Sequence, residues 1–203
     1  MSDLFYLQDS RASLGSQAMF WALNGCGYTS NVSKAQSYTK EQAQSQHNSR
    51  LTDVPLMCSL VNELTDLGVD CQYLPETSSG QQNTVYVIRI LGLYDGNNIK
   101  FVGAGANTYN YNDAQAFGRT ALVDYQDIER YEIYEKTLID LIARPVFKIE
   151  NINLSVMARK AGIKLNKPKR VRPNTGKVRS NCLECGRVVW NFDPYRPAFC
   201  ADH

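Results

Sequence analysis

The residues whose types and spacing could do chemistry lie at the end of the chain. Cys182 and Cys185 are separated by two residues; fourteen residues later Cys200 and His203 repeat the interval, giving C-x2-C and C-x2-H. Two intervening residues let a tight turn aim both side chains at one ion, and two such turns supply the four ligands of a tetrahedral site. Three thiolates and an imidazole suit zinc. No open coordination position is evident, so the spacing predicts a structural zinc held by Cys182, Cys185, Cys200 and His203. In finger peptides metal binding supplies on the order of 10–16 kcal/mol, and a segment this short would owe most of its fold to the ion. The other reading is two pairs of reduced, metal-free cysteines. The α-carboxylate of His203 lies close enough to compete as a ligand.

Between the pairs stand Val188, Val189, Trp190, Phe192, Tyr195 and Phe199. Val188 and Trp190 alternate as in a short strand, and Asp193-Pro194 reads as a turn. Some of these side chains must cover the metal, while Trp190, Tyr195, Arg187 and Arg196 could instead present a contact surface.

Charge is distributed unevenly before this knob. Residues 1–158 hold 11 Lys/Arg against 17 Asp/Glu, residues 159–179 hold 9 Lys/Arg and no acid, and residues 180–203 hold 2 against 3. The nine are Arg159, Lys160, Lys164, Lys167, Lys169, Arg170, Arg172, Lys177 and Arg179. Such a run would displace counterions from a polyanion, so it predicts salt-sensitive nucleic-acid binding. A solvated linker is the plainer reading. Asn153 caps a predicted helix that Gly162 ends. The Ala-Arg-Lys-Ala-Gly turn is faintly that of a helix-turn-helix, but Pro168 and Pro173 prevent a recognition helix. Lys164 to Arg179 reads as extended or disordered.

The rest of the chain reads as α+β: two small sheet-plus-helix units, 1–76 and 84–147, then a short helix and basic neck, 148–180, and the zinc module, 181–203. Leu4 to Gln8 and Ala18 to Leu23 are predicted strands, with a polar loop over Asp9 to Gly15 and a turn at Gly25-Cys26-Gly27. Thr39-Lys40-Glu41-Gln42 is a capping box. Asp53 is read as the cap of a second helix, with Pro55 in its first turn, Leu56, Leu60, Leu64 and Leu67 on one face, and Gly68 closing it. Val69 to Leu74 is read as a strand and 77–83 as a linker. Val85 to Leu91 and Ile99 to Gly103 are strands around the turn at Asp95-Gly96. Over Asp124 to Ala143, helix and strand remain open, with Tyr131 to Tyr134 the candidate strand matching Val69 to Leu74. Ala35-Gln36 matches Ala114-Gln115, each after a glycine-started polar turn. The pattern points to a diverged duplication about 80 residues apart, or to chance.

Catalysis is poorly supported. His47 stands among polar residues of a predicted helix, with no paired nucleophile, and reads as a surface histidine rather than a general base. The metal motif lacks the His-x-Glu of a deaminase, and the glycine turns lack the pattern of a dinucleotide loop. The expectation is therefore a non-enzymatic protein with no small-molecule substrate. Tyr109, Tyr111, Tyr125, Tyr131 and Tyr134 lie near Asp113, Asp124, Asp127, Glu129, Glu132 and Glu135. These could form an acidic docking face or be ordinary sheet-packing tyrosines. No apolar run is long enough for a membrane span. Met1-Ser2-Asp3-Leu4 shows no leader, and Cys26, Cys58 and Cys71 are read as small buried hydrophobes. A reducing cytoplasm is the expected location.

Several stretches carry a resemblance: Tyr6-Leu7-Gln8-Asp9-Ser10-Arg11, Phe20-Trp21-Ala22, Gly25-Cys26-Gly27-Tyr28-Thr29-Ser30-Asn31, Lys34-Ala35-Gln36-Ser37-Tyr38-Thr39, Gln46 to Pro55, and Val69-Asp70-Cys71-Gln72-Tyr73. Over its first 75 residues or so the chain resembles a family of small uncharacterised proteins encoded by bacteriophages and prophages. The resemblance implies a phage or mobile-element accessory protein in the host cytoplasm and assigns no functional residue. Such proteins commonly bind host machinery or counter defence systems. Two functions are thus expected: binding of nucleic acid or a nucleoprotein complex through the neck and zinc module, or inhibition of a host or anti-phage defence complex, such as a CRISPR or nuclease complex, by the acidic tyrosine-rich body; an enzyme of unrecognised type around His47 ranks third.

Overall fold

Burying Phe5 and Leu7 organises the first half of the chain. A computed structural model describes residues 3–76, 84–166, 176–193 and 195–202, which fall into two compact units, Met1–Lys167 and Pro168–His203. In the larger unit β1 (Leu4–Leu14) is the central strand. Strand β2 (Gln17–Trp21) returns beside its second half and is extended by β3 (Tyr28–Thr29). The start of β1 pairs with β4 (Ser37–Thr39), and its other edge pairs with β5 (Asp53–Met57). The polar loop expected over Asp9 to Gly15 is instead strand as far as Leu14. Asp9 can enter the ladder because Arg11 and Arg50 both pair with it, while Arg50 also reaches Asp53. Asp9 and Asp53 are cross-strand partners, both buried, an arrangement that holds only while the guanidinium groups neutralise them.

The expected helix cap at Asp53 is corrected in the same way. Asp53–Met57 is strand, with Pro55 opposite Leu7. It pairs with β1 alone, and an edge strand tolerates a residue without an N–H. Helix α1 (Lys40–Ser49) has the expected capping box, Thr39 and Gln42 bonding reciprocally. Helix α2 is confined to Cys58–Glu63, so the leucine period misled: Leu56 lies in β5 and Leu67 in β6 (Asp66–Gly68). Val69 to Leu74 is not the expected strand; an Asp70-capped turn occupies Cys71–Tyr73.

The second half is built around β7 (Tyr86–Asp95), flanked by β8 (Asn98–Phe101) and β9 (Tyr131–Glu135). Helix α3 (Lys136–Ile142) and β10 (Arg144–Val146) follow. Asp124 to Ala143 thus holds both a strand and a helix; Val69–Leu74 is no strand, and β9 pairs with β7 as β5 pairs with β1. Its register is that of β5: Phe5↔Met57 through Asp9↔Asp53 becomes Tyr86↔Glu135 through Ile90↔Tyr131. Phe20 faces Gln8 as Phe101 faces Arg89, and both hairpins carry an irregularity at the same place. The Ala35 N–H bonds Val32 and the Gln36 N–H bonds Trp21; the Ala114 and Gln115 N–H groups bond Tyr111 and Val102 in the same manner.

The two halves meet through paired features. Strand β10 pairs antiparallel with β6, with Leu67 opposite Pro145 at its centre. The Ala18 N–H bonds Phe147 across the junction, and the Ile99 N–H bonds Val69 in return. The hairpin tips touch: Gly15 and Gly96 both have positive φ, and a Cβ on either would fall on the backbone of the other tip. At β10, Arg144 reaches back to Asp70 and Ser30. Helix α4 (Leu154–Ala161) then packs Met157, Ala158 and Ala161 into the first half's core. The linker expected over 77–83 lies outside the described residues.

In the smaller unit β11 (Val178–Asn181) pairs antiparallel with β12 (Val188–Asn191). The end of the expected extended neck is therefore a strand. No helix of the described residues is long and apolar enough to cross a membrane.

Candidate metal centre and its basic approach

The knuckle at Cys182 is made by backbone bonds. The Cys182 N–H donates to the Arg187 carbonyl at 2.7 Å, and the Gly186 N–H returns to the Cys182 carbonyl at 2.8 Å. Gly186 closes the turn at φ +72, a conformation that a Cβ would oppose. A bond from the Leu183 N–H to the Ala198 carbonyl draws the C-terminal segment alongside. Cys200 then arrives with its N–H donated to Cys182 Sγ at 3.3 Å.

The sulfurs of Cys182, Cys185 and Cys200 lie within 4.8 Å of one another and form the single group of metal-type ligands among the described residues. Cys185 and Cys200 Sγ are 3.5 Å apart, and none of the six cysteines is in a disulfide. Thiolates around a tetrahedral ion at ~2.3 Å would stand about 3.8 Å apart, so the spacing suits three ligands better than a bonded pair. Backbone N–H groups, that of Cys185 foremost, hold the Cys182 thiol below its ordinary value against the opposing effect of burial, while at Cys185 the Arg187 N–H is outweighed by burial and the neighbouring Cys200 and Cys182 sulfurs, which push that thiol up. A donor already inclined to lose its proton suits a cation. These three cysteines could hold a metal ion. His203, the fourth predicted ligand, lies outside the described residues.

The basic residues fall into two groups. Arg159 and Lys160 stand exposed on α4, and Lys164 follows on the segment leaving it. Lys177 and Arg179 are exposed at the start of the hairpin. Among the described residues none of these five is ion-paired with a carboxylate. Lys167, Lys169, Arg170 and Arg172 lie outside the described residues. Pairing Arg179 with Trp190 in the ladder is a relation that sequence reasoning missed. Alternation on both sides, Val178-x-Ser180 and Val188-x-Trp190, was the available signal.

His47 is corrected from a surface residue to a buried one, 2% exposed. Its Nδ1 lies 2.8 Å from the Asp53 carbonyl oxygen, and its Nε2 accepts the Asn166 N–H at 2.9 Å. With both nitrogens engaged, the ring is a structural bridge. Its helix was polar in pattern, and β5 together with the returning segment after α4 buries that face. Cys26 is exposed, and Cys58 and Cys71 are half-buried, which corrects their reading as core residues.

Of the second-half tyrosines, Tyr109, Tyr111, Tyr125, Tyr131 and Tyr134 are buried or half-buried, while Tyr94 is exposed. Tyr111 and Tyr134 are buried, bonded to Asp140 and Glu132, and Tyr125 packs edge-on between Phe117 and Tyr131. No family model, curated protein or solved structure matches the chain.

Proposed function

We propose that this is a non-enzymatic accessory protein that binds nucleic acid or a nucleoprotein complex through its basic neck and a zinc-clamped terminal module. One observation carries the reading: nine Lys/Arg and no acid over residues 159–179 lead into a hairpin and knuckle that gather three thiolate-type ligands. Zinc fits this donor set best, with His203 as fourth ligand and a structural role for the ion. A bacteriophage or mobile-element origin, acting in the host cytoplasm, is part of the same proposal and rests on the resemblance of the first 75 residues or so. The matching registers of β1–β5 and β7–β9 support a diverged duplication of the body.

The test is a salt titration of binding to generic DNA and RNA. Neutralising Arg159, Lys160, Lys164, Lys177 and Arg179 should weaken binding for all sequences and flatten the slope of log affinity on log salt by about 0.7–0.9 for each phosphate left without its cation. Failure to bind either polymer at low salt would refute it. Inhibition of a host or defence protein by the acidic body is the second reading. It ranks behind because the tyrosines that would anchor such a face are packed or half-buried.

A further inference from the structure

Residues facing each other across an antiparallel ladder project from the same side. Arg179 and Trp190 therefore share one face of the β11–β12 hairpin, with Asn181 and Val188 beside them. Trp190 is 59% exposed and Val188 47% exposed. On the other face Ser180, Val189 and Asn191 are half-buried, and Val178 at its start is 43% exposed. Just beyond the ladder Lys177 places its Nζ 5.0 Å from the ring centroid of Phe192, itself 72% exposed. The outer face thus carries two steps, each an aromatic ring with a cation across from it.

The steps are two residues apart, about 6.6–6.8 Å along a strand. That is close to twice the ~3.4 Å rise per nucleotide of a stacked strand. Two neighbouring bases splayed apart could each meet one ring while their phosphates meet Arg179 and Lys177. A duplex hides its base faces in the stack and is read in the major groove by hydrogen-bonding side chains. Here the positions opposite the two cations are rings. Base–aromatic stacking tolerates any sequence, and cations beside the rings suit the backbone. We infer that the outer face of this hairpin is a stacking platform for two successive nucleotides of a single-stranded nucleic acid, resting on the nucleic-acid reading above and narrowing it from nucleic acid in general to unpaired strands.

The test uses the full metal-loaded chain with oligothymidine, oligouridine and a DNA duplex, each of about 12 nucleotides or base pairs, within the range of single-strand sites. Both single strands should bind at least about tenfold tighter than the duplex and quench tryptophan emission, with the Trp190→Phe protein as the fluorescence blank. Trp190→Ala and Phe192→Ala should each weaken single-strand binding by roughly 5- to 150-fold with little change in duplex binding, while Trp190→Phe retains most of it. Metal content measured on each variant shows that the module is intact; the quenching of the unaltered protein decides the matter if a variant is found metal-free. Single-strand affinity unchanged in both alanine variants, or binding without quenching, overturns the stacking platform while leaving salt-dependent binding through the neck in place. No binding of any oligonucleotide overturns both.

Discussion

Asn166 donates its backbone N–H to Nε2 of His47 at 2.9 Å, and the same ring reaches the Asp53 carbonyl through Nδ1 at 2.8 Å. A carbonyl only accepts, so Nδ1 must carry the proton and Nε2 is left free to accept. One neutral imidazole thus ties the segment after α4 to α1 and to β5. Gln44 reinforces the tie, bonding both the N–H and the carbonyl of Lys164. His47→Phe keeps the ring volume and removes both bonds, and should lower the stability of the larger unit by about 1–3 kcal/mol. Urea unfolding measures the loss, and faster amide exchange at Asn166 locates it. An unchanged midpoint would show the bridge to be incidental.

Gly15 and Gly96 hold the two halves' hairpin tips together at positive φ, +63 and +59, with each Cβ position taken by the other tip. Alanine at either should cost about 2–4 kcal/mol, since strain and a backbone clash add. Gly25 and Gly27 have similar φ but open space around them, so alanine there should cost only about 1–2 kcal/mol. Thermal melts of the four variants separate close approach from backbone conformation; equal losses would count against the approach.

Burial works to raise the Asp9 carboxyl, but the Arg11 backbone N–H and guanidinium outweigh it and hold the group below its ordinary 3.8. A depressed carboxyl contributes stability that is fully present above the unfolded value and lost as pH falls through the lower folded one. Arg11→Ala should therefore bring the acid-unfolding midpoint to higher pH, leaving stability near pH 7 lower and flat. Far-ultraviolet dichroism followed from pH 7 to about pH 2 checks this; a midpoint that stays put, or moves lower, contradicts the assignment.

Burial pushes the Cys58 thiol up to about 11, leaving about one thiolate in a thousand at pH 8. Exposed Cys26 should react first with iodoacetamide in the native chain, with half-buried Cys58 following more slowly. Mass spectrometry of labelled peptides gives the order; labelling of Cys58 ahead of Cys26 would contradict the raised thiol.

Metal removal should act on one unit alone. Chelation, or Cys182→Ser, should collapse the amide resonances of residues 176–202 and leave those of residues 3–166 in place, because on the proposed reading the ion would supply most of the small unit's folding energy. The untreated protein should carry about one zinc per chain. A resonance pattern indifferent to chelation, or no bound metal, would end the zinc reading.

Much of this was legible because it depends on neighbours in sequence. The Thr39 capping box, the Asn153 cap and the Gly162 stop of α4 are local devices, and each stands where its residues place it. The spacing of Cys182, Cys185 and Cys200 is local on each side, and their sulfurs do converge. The charge of residues 159–179 is composition alone.

Tertiary structure decided the rest, for one physical reason: a residue's fate there depends on partners far along the chain. Asp53 and Pro55 carry helix-start signals, yet become strand because β1 offers an edge that tolerates proline and Arg50 neutralises the buried carboxylate. Polar Gln44 and His47 look like a solvent face until residues 164 and 166 return to cover them. Trp190 could by sequence cover a metal or present a contact surface, and its register opposite Arg179 together with its exposure in the folded hairpin decides for the surface.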